Sequence, residues 1–323
     1  MKTHLKKIAL LFCVVAFASC SSDDDNNGTS NKTITEIAAG NANLSVLVSA
    51  LQRTGLDATL DGTTKYTVFA PTNDKFNAFL QAKGFASVDA VPEGALKEIL
   101  LNHVIAGEVR STQLTTGYVK TLAKGSASST NTLSMYVNTA NGVVLNGGAS
   151  NSGATVVTAD IDAKNGVIHI VDNVLDLPTI VNQAIANPNF SVLVQALTRN
   201  DQPNFAGILS GTDGAPFTVF APTNDAFVSL LGELNLNGLA DVPQAVLENT
   251  LKYHVVAGAN VLSTALTNNM SVQTYQGQSF TITLTGGAKI TDASNRVSDI
   301  IATDVQASNG VIHVVNKVLL PSL

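Results

Sequence analysis

The chain has 323 residues, 45% of them hydrophobic and only 13% charged, with a formal net charge of −6, no tryptophan and two cysteines. This acidic balance argues against nucleic acid or an anionic lipid surface as the main partner. Both cysteines, Cys13 and Cys20, fall within the first 20 residues, so the rest of the chain has no thiol for a disulfide, a Cys-ligated zinc ion or a Cys nucleophile.

The first element is a leader. Lys2, Lys6 and Lys7 precede an unbroken apolar run of 11 residues from Ile8 to Ala18, the size of a secretory h-region and too short to cross a bilayer. Phe17-Ala18-Ser19-Cys20 resembles a bacterial lipobox, with Phe17 where leucine is usual. The resemblance implies a signal peptide over 1–19, lipid attachment at Cys20, and a membrane association made only through that lipid. Residues 20–32 then form a flexible acidic tether, since SSDDDNNGTS can bury nothing. A Ser/Asp run after the cysteine resembles the surface-export signal of Bacteroidota lipoproteins, which implies an outer-membrane, surface-exposed location. Segment 1–19 holds three of the 18 basic residues and none of the 24 acidic ones, leaving a mature formal charge of −9.

Beyond the tether, Leu44, Leu47, Val48 and Leu51 fall at i, i+3, i+4 and i+7 and predict a helix. Tyr66 to Ala70 reads as a strand halted by Pro71. Thr72 or Asn73 is placed to cap a following helix, with Asp74 facing the positive end of its dipole and Phe76, Phe79 and Leu80 on its apolar face. Another helix is expected from Pro92 to Leu101. Leu133, Met135 and Val137 alternate with polar positions, as Phe280, Ile282 and Leu284 do with Ser279, Thr281 and Thr283, which predicts in each case a strand with one apolar face, and Val167 to Val171 reads as a further strand. Gly125 to Thr132 and Asn146 to Gly153 read as mobile surface loops.

The pattern then recurs. TVFAPTND stands at Thr67 to Asp74 and again at Thr218 to Asp225, 151 positions on. Asn43 to Leu51 answers Asn189 to Leu197, Asn102-His103-Val104 answers Tyr253-His254-Val255, and Asn165 to Leu175 answers Asn309 to Leu319. Order is kept while the offset drifts, as in a duplicated domain with loop insertions; a period near 150 residues is too long for a solenoid. Two units follow, 33–177 and 178–323, joined by the short Asp176-Leu177-Pro178-Thr179 and therefore restricted in relative orientation. Helices gathered before strands in each unit indicate the α+β class.

These landmarks resemble the fasciclin-domain family: a TVFAPTNxAF-type element at Thr67 to Phe76 and Thr218 to Phe227, and an NGVIHVIDxVL-type closing strand at Asn165 to Leu175 and Asn309 to Leu319. The family's Tyr-His element is intact at Tyr253-His254 but reads Asn102-His103 in the first copy. The resemblance covers about residue 33 to the C-terminus. It implies two tandem domains of β-sheets wedged with several helices, used as extracellular adhesion or matrix-binding modules.

The repeated polar residues admit two readings. Thr72, Asp74, His103 and their counterparts Thr223, Asp225 and His254 could form a Thr/His/Asp catalytic set. They could equally be internal scaffold, with His103 continuing an apolar stripe from Leu96, Ile99 and Leu100 and bonding to the octapeptide's Thr or Asp. The scaffold reading is the one expected, for Tyr253, His169 and His313 as well. A metal held by His103 and His169 would need Asp160 or Asp162 to converge on it, whereas Asp160 and Asp304 read more simply as turn formers. Asn43 and Asn189, each just before a helix, read as caps. No Gly-x-Ser-x-Gly elbow, His-Glu-x-x-His pair, Walker loop or dinucleotide fingerprint occurs. The expectation is a non-enzymatic, cofactor-free surface protein that contacts extracellular protein or polysaccharide through the two glycine- and serine-rich loops of copy one. The alternatives are an accessory glycan- or nutrient-capture lipoprotein with a cleft between the domains, and a hydrolase.

Overall fold

The computed structural model describes residues 30–322. The signal segment, Cys20 and most of the acidic tether lie outside the described residues. Copy one opens with three helices, α1 (Ile34–Ala39), α2 (Ser45–Thr54) and α3 (Leu56–Leu60), followed by strand β1 (Tyr66–Pro71) and helices α4 (Asn73–Ala82) and α5 (Glu93–Asn102). Strands β2 (Val104–Ala106), β3 (Gly117–Lys120), β4 (Ser134–Asn138), β5 (Val144–Leu145), β6 (Ala154–Ala163) and β7 (Gly166–Val171) complete it. Copy two repeats the plan with α6 (Ile180–Ala186), α7 (Ser191–Leu197), α8 (Phe205–Ser210), β8 (Phe217–Pro222), α9 (Asn224–Glu233) and α10 (Gln244–Tyr253). Its remaining strands are β9 (Val255–Val256), β10 (Met270–Gln273), β11 (Ser279–Thr283), β12 (Lys289–Thr291), β13 (Val297–Ala307) and β14 (Gly310–Val315).

Each copy builds one seven-stranded mixed sheet, in the orders β2-β1-β7-β6-β5-β4-β3 and β10-β11-β12-β13-β14-β8-β9. The octapeptide strand pairs in parallel with the closing strand, Tyr66 opposite Gly166 and Phe217 opposite Gly310. That pairing fixes the glycine of Asn-Gly-Val-Ile-His. A Cβ on Gly166, whose φ is +147°, would lie 1.8 Å from the Tyr66 carbonyl oxygen, and one on Gly310 would lie 2.2 Å from that of Phe217. Only glycine lets the two backbones meet.

Strands β1 and β8 are buried on both faces, as expected of a central parallel pair. Val68 and Ala70 point into a core shared with the helices, while Phe69 points into a second core with Met135, Val137 and Leu145. In copy two, Val219 and Ala221 face the helices and Phe220 packs with Tyr253, Phe280 and Ile282. The helices begin and end where local chemistry directs. Thr33 and Thr179 form capping boxes at α1 and α6, and Gly55 ends α2 in the left-handed conformation.

Four expectations need correction. Leu284 lies past the end of β11 and is exposed. The caps before the second helix of each copy are Asn41 and Asn187, whose side chains accept from the Asn43 and Asn189 amides; Asn43 and Asn189 themselves sit inside the short 3-10 turns. Asp160 and Asp304 are not turn residues but left-handed positions at strand bulges, with φ of +61° and +60°. The fourth concerns β4, whose polar face is covered as well, Ser134 and Tyr136 being buried.

The second copy supplies that cover. The Ser134 hydroxyl accepts from the Gln306 amide at 3.0 Å, and its carbonyl accepts from the buried Gln183 side chain. Lys120 donates to the Asp304 carbonyl at 2.8 Å. The loops expected to be mobile surface lie here too. The Ala127 amide donates to the Ser308 carbonyl at 3.0 Å, Asn131 Nδ2 to Gln306 Oε1 at 3.1 Å, and Asn151 Nδ2 to the Asn182 carbonyl at 2.8 Å. Part of copy one's extra loop length is thus held against copy two, while Ser126, Ser129, Thr130, Ala149 and Ser150 stay exposed.

Candidate functional site

His103 and His254 end α5 and α10 and are buried. His103 Nδ1 lies 2.8 Å from the Ile99 carbonyl, and its Nε2 accepts the Leu175 amide at 2.8 Å. His254 repeats this with the Thr250 carbonyl at 2.7 Å and the Leu319 amide at 2.9 Å. Because Nε2 accepts, Nδ1 carries the proton and both rings are neutral. Burial pushes each imidazole down to about 4, with the carbonyl bond partly opposing it. The histidine carbonyls also accept from the octapeptide amides of Phe69 and Phe220, at 2.9 Å each. The Tyr-His element thus clamps the octapeptide strand to the end of the closing motif, and its bond goes to Leu175 rather than to Thr72 or Asp74.

Asp74 and Asp225 are exposed in the first turns of α4 and α9. Thr72 is the N-cap of α4 but its side chain makes no cap bond, whereas the Thr223 hydroxyl accepts from the Ala226 amide at 3.3 Å. The structure therefore does not assemble a Thr/His/Asp constellation. The polar residue at work in the octapeptide is Asn73. It accepts from the Val46 amide at 2.9 Å and donates to the Ala42 carbonyl at 2.8 Å, tying α4 to the start of α2. Asn224 does the same with Val192 at 3.0 Å and Pro188 at 2.9 Å.

His169 and His313 lie mid-strand, stacked on Phe69 and Phe220. His169 Nε2 is 3.0 Å from the Val109 carbonyl and its Nδ1 accepts the Asp160 amide at 3.1 Å. His313 keeps only the bond to the Val261 carbonyl, at 2.8 Å, and its Nδ1 is buried without a partner. Burial lowers both rings' affinity for a proton. The Asp160 carboxylate is taken up by the Ser111 amide and hydroxyl, and Asp304 by those of Ser263. No group of three or more metal-ligating side chains is found among the described residues.

Sequence reasoning passed over two further pairs. The Thr67 and Thr218 hydroxyls bridge the Gly107 carbonyl to the Val109 amide and the Ala259 carbonyl to the Val261 amide. Asn165 and Asn309 lock the first helix of each copy, accepting from Ile34 at 2.9 Å and Ile180 at 3.0 Å. The signal was available: all four residues lie inside verbatim repeated stretches. The residue before the histidine, already noted from the sequence, differs between copies. Tyr253 is fully buried, its hydroxyl donating to the Ser279 carbonyl and accepting from the Ala293 amide, both at 3.0 Å. Its counterpart Asn102 donates to the Asp176 carbonyl at 3.0 Å and leaves its own oxygen unpaired.

An open cleft of about 800 Å³ lies within copy two, between α8, the 211–217 loop and Tyr275. It is not the between-domain cleft expected of a capture protein. Tyr275 was not singled out because a lone tyrosine in a hairpin turn carries no periodic signal.

Comparison with known proteins agrees with this geometry. The Fasciclin domain family matches residues 42–178 and 188–321. Protein sll1483 of Synechocystis sp. is 38% identical over 145 residues, 44% of this chain and 72% of that protein. Transforming growth factor-beta-induced protein ig-h3 of Sus scrofa is 29% identical over 299 residues, 90% of this chain but 38% of that longer protein. A solved FAS1 domain pair from the insect cell adhesion molecule Fasciclin I superposes with a TM-score of 0.54 at 20% identity, covering 87% of this chain and 98% of that one, a likeness of fold. Two copies of the same sheet, clamp and closing strand, matched over most of the chain, make this protein a member of the fasciclin-domain family.

Proposed function

We propose that the chain is a non-enzymatic adhesion or binding protein displayed on the outer membrane, lipid-anchored through Cys20 and contacting extracellular protein or polysaccharide. The observation carrying this reading is where the repeated polar side chains go. Thr67, Asn73, His103 and Asn165 are each bonded to main-chain atoms of the same copy, and their counterparts repeat those bonds. Side chains engaged in this way hold a scaffold and leave recognition to positions where the copies differ. The family membership, and the printed description of the similar domain pair as part of a cell adhesion molecule, point the same way.

The test is to display the full chain on cells and score their retention on arrayed matrix proteins and polysaccharides against cells carrying Cys20→Ser. Retention that depends on Cys20 is the expected result. Equal retention of both populations on every surface would sink the anchored-adhesion reading. Capture of a glycan or nutrient for uptake is the second reading, favoured by the cleft beside Tyr275.

A further inference from the structure

Among the described residues, every phenylalanine and four of the five tyrosines are buried or half-buried. Tyr275 alone is exposed, at 50%, and it stands on the wall of the 800 Å³ cleft of copy two. A volume of this size lies within the range of small-ligand sites. Tyr275 is held there by its hairpin: Thr274 is buried, its hydroxyl donates to the Gln278 carbonyl at 2.8 Å, and the Tyr275 amide donates to the Val255 carbonyl at 2.6 Å. The backbone that carries the ring is therefore held before any ligand arrives, which lowers the ordering cost of binding.

The rest of the lining is apolar at residues such as Phe205, Ile208 and Phe217 and polar at Asn204, Thr212 and Asp213. Asn204 accepts from the Gly207 amide at 2.9 Å, which fixes its side chain, while its Nδ2 makes no bond among the described residues. A Cβ on Gly207 would come within 2.4 Å of that Nδ2, so the glycine keeps the amide in place. Thr212 adds a hydroxyl and Asp213 a carboxylate, and neither side chain is engaged among the described residues. The lining contains no lysine, arginine or histidine. An apolar ring face, an amide donor, a hydroxyl and one acceptor carboxylate, without a cation, match a neutral polyhydroxylated ligand. Sugar C–H faces stack on the ring while the hydroxyls bond to the amide and carboxylate. A sulfated or uronic-acid chain would meet Asp213 with no compensating charge.

Copy one is built otherwise at the same place. There Leu122 makes the main-chain bond to Val104 that Tyr275 makes to Val255, and it is half-buried against the core. Lys65, whose carbonyl takes the Gly107 amide as that of Gly214 takes the Gly258 amide, replaces the glycine and is tied to Glu108 at 2.9 Å. The link between the second and third helices is one residue in copy one, Gly55, and runs from 198 to 204 in copy two.

We infer that the cleft formed by Asn204, Thr212, Asp213 and Tyr275 is a binding site for a short segment of neutral polysaccharide. This rests on the binding reading above and names its seat and ligand class. The test titrates the full chain with cellotriose, mannotriose and maltotriose, and with a heparin trisaccharide as the charged control, by calorimetry. At least one neutral probe should bind and the control should not, with Tyr275→Ala weakening binding about tenfold or more and Asp213→Asn about threefold. Tyr275 is exposed, so an unchanged melting temperature confirms that the variant folds. The inference is overturned if no neutral probe binds at about 10 mM, if the heparin probe binds better, or if Tyr275→Ala binds as well as the parent. Cell retention separates the two claims: Tyr275→Ala cells held as firmly as the parent, with no saccharide binding, remove this site and leave the adhesion reading standing. Loss of retention without saccharide binding assigns the cleft to a protein partner instead.

Discussion

The two copies share a skeleton and differ in what they do with their surfaces. Copy one turns part of its long loops and the polar face of β4 toward its neighbour, so Ser134 and Asn151 become interior and Asn131 half-buried. Copy two has a tight β10–β11 hairpin and a lengthened α7–α8 connection, and these leave a cleft open to solvent. In a duplicated protein the residues that stay the same report the fold, and those that diverge divide the labour between docking and display.

The largest expected effect is common to both copies. His103 and His254 are neutral donors–acceptors whose folded affinity for protons is pushed down to about 4, below the unfolded value near 6.5. A second proton on Nε2 would face the Leu175 or Leu319 amide, donor against donor. The unfolded chain therefore binds more protons between those values. Stability is full above about 6.5 and falls as pH drops toward 4, by about 3 kcal/mol per histidine. NMR of the ring protons checks this: neither resonance should titrate above about pH 5, and a midpoint near 6.5 for one copy would break the symmetry.

Next comes the asymmetric clamp. Tyr253→Asn installs the copy-one residue in copy two, empties the space beside Phe280 and orphans the Ala293 amide. It should cost about 3–5 kcal/mol in chemical denaturation. Tyr253→Phe keeps the volume and should cost about 1–2 kcal/mol. A negligible loss for both would mean that the tyrosine does not hold the second core.

Smaller effects sharpen the distinction within the octapeptide. Asn73→Ala and Asn224→Ala each remove a side chain bonded to both an amide and a carbonyl, at a cost of about 1–3 kcal/mol. Asp74→Ala and Asp225→Ala, in exposed first turns, should stay below about 1 kcal/mol. The reverse ranking would restore a functional carboxylate. Ser134→Ala, which removes the acceptor for the Gln306 amide, should cost about 1–2 kcal/mol and separate the melting of the two copies where the parent melts as one. An unchanged single transition would show that the copies are coupled by other contacts.

Much of this was legible from residues alone. The period-3.6 stripe around Leu47 and Leu51, the proline-started α5 and α10, and the repeated strand at Val68 and Val219 are local signals that packing then reinforced. Partners were less legible than elements. His103 was readable as buried, but the sequence offered Thr72 or Asp74 as its partner, because proximity of motifs in a chain does not say which main-chain atom arrives from a segment 72 residues away. Ser134 and Tyr136 were mistaken for a solvent face because alternation reports one copy's core and is blind to the other copy. The part of the glycine- and serine-rich loops that docks on copy two was missed for the same reason: composition cannot distinguish a free loop from one whose small residues permit close contact. Gly125 shows this, since a Cβ there would lie 3.0 Å from Ser308 Cα.

The parallel seating of each closing strand beside its octapeptide strand also sets an order of events. In either half an interior strand is the last to leave the ribosome, because β7 and β14 are inserted between strands made earlier. The leading half can close its sheet as soon as Val171 emerges and its histidine clamp once Leu175 follows. The trailing half stays split into two unjoined pieces until Gly310 to Val315 arrives, so a chain halted just short of that segment would carry one finished half and one exposed seam.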